Sequence, residues 1–242
     1  MTLMYHDIIE TENSGFQNAA AQPYKVTAQL FEQHLEALSG HDDVFFTFDD
    51  GGSSFVSTAA PLLEKYGRRG VFFIATDYLD TPGFLTTKQV KELNDRGHKI
   101  GTHTHTHPEN LSRLDEQTIE QEWDTSINIL KAIIGEPITS ASLPNGYGSK
   151  AIYNILQQKG ICDIYTSEPN GDRRQSGTTL HGRFVVKHNT TQEALLHLFG
   201  SRSYRHRIHL KWQLLNFVKE ILGGNYERIK NRLAISHHTH LQ

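Results

Sequence analysis

Short apolar runs of β-favouring residues recur along the chain, separated by stretches in which apolar residues fall three and four apart. Leu3–Tyr5, Val44–Phe48, Val71–Ile74, Lys99–Thr102, Ile161–Tyr165 and Phe184–Val186 have the first pattern and predict strands. Thr27–Leu38, Ser54–Tyr66, Thr87–Arg96, Asp115–Ile134, Lys150–Lys159 and Thr191–Phe199 have the second and predict helices. Thr27 and Asp115 stand at N-cap positions, and Gly67, Gly97 and Gly160 lie just past three predicted C-termini, where a left-handed residue ends a helix. Strand and helix alternate, and the strands are apolar on both faces. That order predicts parallel strands wrapped by helices, as an α/β barrel or a doubly wound sheet.

The character changes after Gly200. "SRSYRHRIHLKWQLLNFVKEILGG" begins basic and then sets Leu210, Leu214, Phe217, Val218 and Ile221 at helical spacing, closed by Gly223-Gly224. An apolar stripe usually faces a core, so this helix is expected to dock on the main body through that stripe, with a membrane-surface or partner helix as the alternative. The chain is therefore read as a domain over 1–200 followed by a helical extension over 201–242. The final "SHHTHLQ" has no periodicity and is expected to fray.

Composition narrows the class. At 242 residues, 37% hydrophobic and 21% charged, the chain suits one large globular domain. A net charge of -3 gives no global attraction to nucleic acid, and none is expected as a partner. No apolar run approaches the roughly 20 residues of a membrane span. Cys162 is alone, so no internal disulfide is required, and the N-terminus lacks the basic and apolar regions of a signal peptide. A cytoplasmic location is the expectation.

Two clusters could support chemistry. In "VFFTFDDGGSS", Asp49 and Asp50 lie where a strand runs into Gly51-Gly52. Consecutive strand residues point to opposite faces, so the two carboxylates converge only if the strand breaks there, and the glycines are expected to supply the break. In a parallel α/β fold such strand ends form the ligand-binding face. "KIGTHTHTHPENL" spaces His103, His105 and His107 by two. Fully extended, His103 and His107 would stand about 13 Å apart, too far to share an ion bound at about 2.0 to 2.1 Å. A helical turn after His103 would bring positions i and i+4 together and aim His105 elsewhere; an i, i+2 pair on a strand is the alternative. Two histidines and one carboxylate leave an open position on a divalent ion, the arrangement of a hydrolytic site, and the second aspartate is then free to act as a base.

"TFDDG" at 47–51, "HTHTH" at 103–107 and "LPNGYGS" at 143–149, in that order, resemble the motifs of the NodB-like polysaccharide deacetylases, carbohydrate esterase family 4. The resemblance implies a distorted (β/α) barrel and a metal-dependent hydrolase that removes acetyl groups from N-acetylated sugars. It implies Asp49 as general base, and Asp50, His103 and His107 as ligands of one divalent ion, Zn2+ first, with Co2+, Ni2+, Mn2+ or Fe2+ as alternatives. Pro144, Asn145 and Tyr147 in the third motif become substrate-binding candidates, with the Asn145 N–H facing the oxyanion. "LMYHDII" resembles the branch that includes poly-N-acetylglucosamine deacetylases, in which a Tyr-His near the N-terminus supplies the acid, here His6. No Leu-x-His copy is convincing around Leu195–His197. Two departures stand out. Ser142 occupies the place of an arginine that orients the base, and Arg183 in "GRFVV" is the candidate to replace it from another strand. No tryptophan falls in the stretch that follows Ile161, where the family often has an aromatic lining the acetyl pocket, leaving Tyr147 or Tyr165. A small-amide hydrolase such as a deformylase and a catalytically silent carbohydrate-binding relative are the competing readings.

Overall fold

The computed structural model describes residues 1–10, 13–175 and 177–222. Gly223-Gly224 and the "SHHTHLQ" tail lie outside the described residues.

The alternation of side chains along one strand shows how the layers arise. In β4 (Phe45–Phe48; β1–β3 are Thr2–Tyr5, Ile8–Ile9 and Val26–Thr27), Phe46 and Phe48 meet Tyr5 and Phe31, and Phe48 also meets Phe55 and Phe72. Thr47 and the following Asp49 point the other way, into a lumen. Aromatic burial against the helices α1 (Ala28–Ala37) and α2 (Ala60–Lys65) thus aims the polar residues inward. β5 (Gly70–Ile74) repeats this: Phe72 packs outward on Phe55, while Phe73 turns inward against Tyr165.

The remaining elements are α3 (Thr87–Asp95), β6 (Lys99–Thr102), α4 (Glu116–Ile134), β7 (Ser140–Ser142), α5 (Lys150–Gln158), β8 (Asp163–Tyr165), β9 (Arg173–Gln175), β10 (Thr178–His181), β11 (Arg183–Val185), α6 (Gln192–Gly200) and α7 (Arg202–Leu222). The sheet order is β11-β1-β4-β5-β6-β7-β8-β10-β9, parallel throughout except for the β9–β10 pair. β10 pairs with β8 and β11 pairs with β1, yet only Gly182 separates them. One run of chain therefore closes the sheet into a distorted barrel. A Cβ at Gly182 would meet the Asn170 carbonyl oxygen at 2.2 Å, which is why a glycine stands at the seam.

Thr27 and Asp115 cap α1 and α4 by accepting from the Leu30 and Thr118 N–H groups. Gly67, Gly97 and Gly160 all have positive φ. The helix expected from Ser54 differs: a wider π-type turn spans Phe55–Ala59, with the Ala60 N–H reaching back to Phe55 O. Pro61 has no N–H to continue a regular ladder from Ser57, and α2 begins only around it.

The C-terminal helix departs from expectation in which face it buries. α7 packs on the core through Tyr204 and Ile208. Leu210, Leu214 and Phe217 remain 48%, 63% and 59% exposed, so the stripe expected to dock faces outward; Val218 and Ile221 lie outside the described side chains. Among the described residues no helix is long and apolar enough to cross a membrane.

Inside the lumen, a Cβ on Gly101 would meet the Phe73 ring at 2.5 Å and the Ser140 carbonyl oxygen at 3.0 Å. Gly101→Ala should lower stability by about 1–3 kcal/mol, read as a lower denaturant midpoint at unchanged slope, because the ring is hemmed in and must leave its rotamer.

Candidate metal centre and its carboxylate neighbour

The site gathers at the C-terminal ends of β1, β4, β6 and β7, where parallel strands release their chains into loops. Asp49 leaves β4 with its N–H bonded to Tyr5 O at 3.1 Å. The strand breaks one residue earlier than expected: Asp50 itself adopts φ 87, followed by Gly51 at φ 95. A non-glycine residue in that region costs on the order of 1–3 kcal/mol, and here it rotates the second carboxylate onto the same side as the first. Gly52 serves packing, since its Cβ would meet Asp7 Oδ1 at 2.0 Å.

Asp7 anchors a buried polar cluster that sequence reasoning missed. Ser14 Oγ and Ser54 Oγ donate to its Oδ1 at 2.6 and 3.1 Å, and Lys25 Nζ to its Oδ2 at 3.2 Å. These bonds tie the chain after β1 to the loop that follows β4, and so hold His6 beside the aspartates. Only the adjacency of Asp7 to His6 in "YHDII" hinted at it.

His103 and His107 do converge, but not through a helical turn. Thr104 and His107 adopt φ 67 and 55, so two left-handed residues fold the segment back. Thr104 Oγ1 accepts from the His107 N–H at 3.2 Å. Glu122 of α4 accepts from the N–H groups of His105 and Thr106 at 3.0 and 2.8 Å and from Thr106 Oγ1 at 2.7 Å. That carboxylate satisfies backbone donors which no strand or helix serves, and nothing in the helical pattern of "EQEW" signalled it. His105 points elsewhere, to Thr76 Oγ1 at 2.9 Å.

The donor set fits a tetrahedral ion. Asp50 Oδ1 lies 3.3 Å from His103 Nε2 and 3.4 Å from His107 Nε2, and the three ligand atoms all lie within 4.8 Å of one another. Ligands bound at about 2.0 to 2.1 Å around a tetrahedral centre stand roughly 3.3 Å apart. His103 Nδ1 lies 2.9 Å from Ser142 O. A carbonyl only accepts, so Nδ1 bears a proton, and Nε2 is the ring atom left to give its lone pair to an ion, the outer bond typical of a ligating histidine.

Asp49 is held by a fork. Arg183 Nη1 and Nη2 donate to its Oδ1 and Oδ2 at 2.7 and 2.8 Å, and Ser142 Oγ donates to Oδ2 at 2.9 Å while accepting from Nη2 at 2.8 Å. Arg183 is fully buried, donates from Nε to Thr166 O, and lies over the rings of Phe73 and Tyr165. It starts β11 level with Thr2, and its side chain rises through the lumen to the aspartate. The guanidinium absent at position 142 thus arrives from the seam strand, with the serine as a bridge. Burial raises the Asp49 pKa, but the charges of Arg183 and His103, the Arg183 hydrogen bonds and the charge of His6 carry it below the ordinary carboxylate range. Asp50 is likewise raised by burial and carried well below by hydrogen bonds from His103 and His107 and by the charge of His6.

His6 therefore lies within electrostatic reach of both aspartates. Its Nδ1 is buried with no hydrogen-bond partner among the described residues, and its ring centroid is 4.7 Å from that of Tyr24. Pro144 is buried in the turn after β7, Asn145 is exposed with φ 54, and Tyr147 is half-buried beside them. Tyr165 is only 8% exposed and is lumen packing under Arg183, stacked on His181 at 4.5 Å. An aromatic that the sequence did not flag, Phe16, flanks His107 at 5.2 Å. His197 sits on the exposed side of α6, stacked on Tyr204 at 4.4 Å and away from the centre.

Comparison with known proteins follows the same lines. YxkH of Bacillus subtilis (strain 168) is 29% identical over 199 residues, covering 72% of this chain and 67% of that protein. The Chitooligosaccharide deacetylase of Bradyrhizobium sp. (strain ANU 289) is 29% identical over 142 residues, covering 58% of this chain and 63% of that one. The chain thus spans about two thirds of the length of these relatives. The fold is that of the Streptococcus pyogenes deacetylase PplD solved in complex with acetate, with TM-score 0.67 at 20% identity over 83% of this chain and 97% of that one. The family model for polysaccharide deacetylase matches residues 39–162, and the chain belongs to that family.

Proposed function

We propose that this chain is a metal-dependent hydrolase that removes acetyl groups from N-acetylated sugars of a polysaccharide or glycan intermediate. The observation that supports it is the pairing of a three-ligand cluster, Asp50, His103 and His107, with a neighbouring carboxylate, Asp49, that ligates nothing and is held ionised by Arg183. A divalent ion, Zn2+ first, would be held by those three residues, polarising an amide carbonyl and acidifying a water when bound. Asp49 accepts the proton from the attacking water, and its fork with Arg183 fixes which lone pairs face the reaction. His6 protonates the departing amine. The backbone N–H of Asn145 donates to the developing oxyanion, an interaction worth roughly 3 to 4 kcal/mol. Pro144 and Tyr147 shape the surface against which the sugar rests.

Acetate release from chitooligosaccharides tests the reading. The metal-loaded protein should release acetate, lose the activity on dialysis against a chelator and regain it when Zn2+ is returned. Bound metal with sugar affinity but no acetate would refute it in favour of a silent carbohydrate-binding relative. Formate released from a formylated sugar, with none of the acetate, would shift the substrate class.

The Glu122 clamp yields a further expectation. Glu122→Gln keeps size but cannot accept from both backbone N–H groups and the Thr106 hydroxyl as the ion does, so the His103–His107 segment loosens. Metal affinity should fall about 10- to 100-fold, measured by competition with a chromogenic chelator.

A further inference from the structure

The outward stripe on α7 has no partner within the described residues. Leu210, Leu214 and Phe217 fall within about 60° of arc on the helix, and all three are largely exposed. The sequence of this helix includes Arg202, Arg205, Arg207, Lys211 and Lys219 against a single acidic residue, Glu220, in a chain whose net charge is -3. Arg202 and Arg207 are exposed on the flanks of the stripe, and Lys211 is exposed at the edge nearer the barrel. Beside Lys211 an apolar cavity of about 390 Å3 opens between α6, α7 and the barrel, bounded by Leu3, Phe184, Leu198, Ile208 and Trp212. Apolar surface and cations occur together twice on this one side of the molecule.

We propose that this side is a docking surface for an anionic lipid bilayer, with α7 lying in the interface plane. A helix of this kind inserts Leu and Phe shallowly below the headgroups while Arg and Lys stay at headgroup level, and its binding adds buried apolar area to attraction for anionic lipid. Charge decides between occupants. In a symmetric contact with a second copy, the same helix would face itself and bring five cations from each copy together with one acidic residue, Glu220, near each helix end. A bilayer of anionic headgroups supplies the opposite sign along the whole length. The helix is not a span, consistent with docking on the surface. The inference stands apart from the deacetylase reading, because none of these residues belongs to the metal centre.

The test uses the full chain in flotation assays with vesicles of phosphatidylcholine alone and of phosphatidylcholine with phosphatidylglycerol. Binding is expected only to the phosphatidylglycerol vesicles and should weaken as salt is raised. The double variant Leu214→Gln/Phe217→Gln should reduce it by about tenfold or more, since two large apolar side chains leave the interface. Arg207→Gln/Lys211→Gln should also reduce it, and this pair leaves the apolar stripe intact if the first variant folds poorly. Circular dichroism and acetate release from soluble chitooligosaccharides should be unchanged in both. No binding, or equal and salt-insensitive binding to both vesicle types, overturns the proposal. So does a dimer in sedimentation equilibrium that Leu214→Gln/Phe217→Gln splits, which would assign the stripe to a second copy.

Discussion

Asp50→Ala should lose both metal and turnover, whereas Asp49→Asn should keep the metal and lose turnover by about 10²- to 10⁴-fold, the range ascribed to a positioned general base. The split follows from the geometry. Asp50 Oδ1 is within 3.4 Å of both histidine Nε2 atoms, so its removal deletes one ligand in three. Both oxygens of Asp49 are occupied by Arg183 and Ser142 instead, so the ligand set does not include it. Asparagine preserves shape but presents an NH2 to one arm of the guanidinium, and some loss of stability is expected because Arg183 is then a buried charge with half its partner. The measurement is therefore paired: metal content and a denaturation midpoint on the same preparation used for acetate release. Undiminished hydrolysis by folded Asp49→Asn removes the assigned base, and full metal occupancy in Asp50→Ala removes the assigned ligand.

How far the sequence exposed this site depended on how local each determinant was. The strands with strong aromatic runs, such as "VFFTF" and "GVFFI", were legible because burial against helices imposes their pattern within a few residues. β7, "SAS", was not: Ser142 turns into the polar lumen toward Asp49, only Ala141 joins the apolar core, and so short a run carries no apolar pattern that marks a strand. β10 and β11 were legible only in part, since the closure at Gly182 depends on Asn170 packing from outside the run. The candidate ligands His103 and His107 could be paired from the motif, yet the means of pairing lies in a left-handed Thr104 and in Glu122, fifteen residues beyond His107 in the chain. The α7 stripe was placed correctly in phase but assigned to the wrong environment. Periodicity says that a helix has an apolar face and is silent on what that face meets.

Arg183→Met should destabilise the protein by about 3–5 kcal/mol, because it removes one partner of a buried ion pair and strands the Asp49 carboxylate in the lumen. The pH dependence gives a sharper signature, best read in metal-free protein. With Arg183 present, the folded-state pKa of Asp49 is below its unfolded value. Its contribution is then present above the unfolded carboxylate pKa of about 3.9 and is lost as pH falls through the folded one. Without Arg183 the burial that raises this pKa loses its largest opposing charge together with the hydrogen bonds of the fork, and the folded pKa moves above the unfolded one. The sign then reverses: the variant should grow less stable as pH rises above the unfolded carboxylate pKa of about 3.9, where the native protein gains nothing further from Asp49 titration. Urea midpoints across that window check the reversal, and a parallel, pH-independent drop would show Arg183 acting as packing alone. The family-like arrangement offers the rescue. Ser142→Arg combined with Arg183→Ser restores a guanidinium near Asp49 from β7, and if charge and orientation are what Arg183 supplies, turnover should recover partly in the swap and not in Arg183→Ser alone.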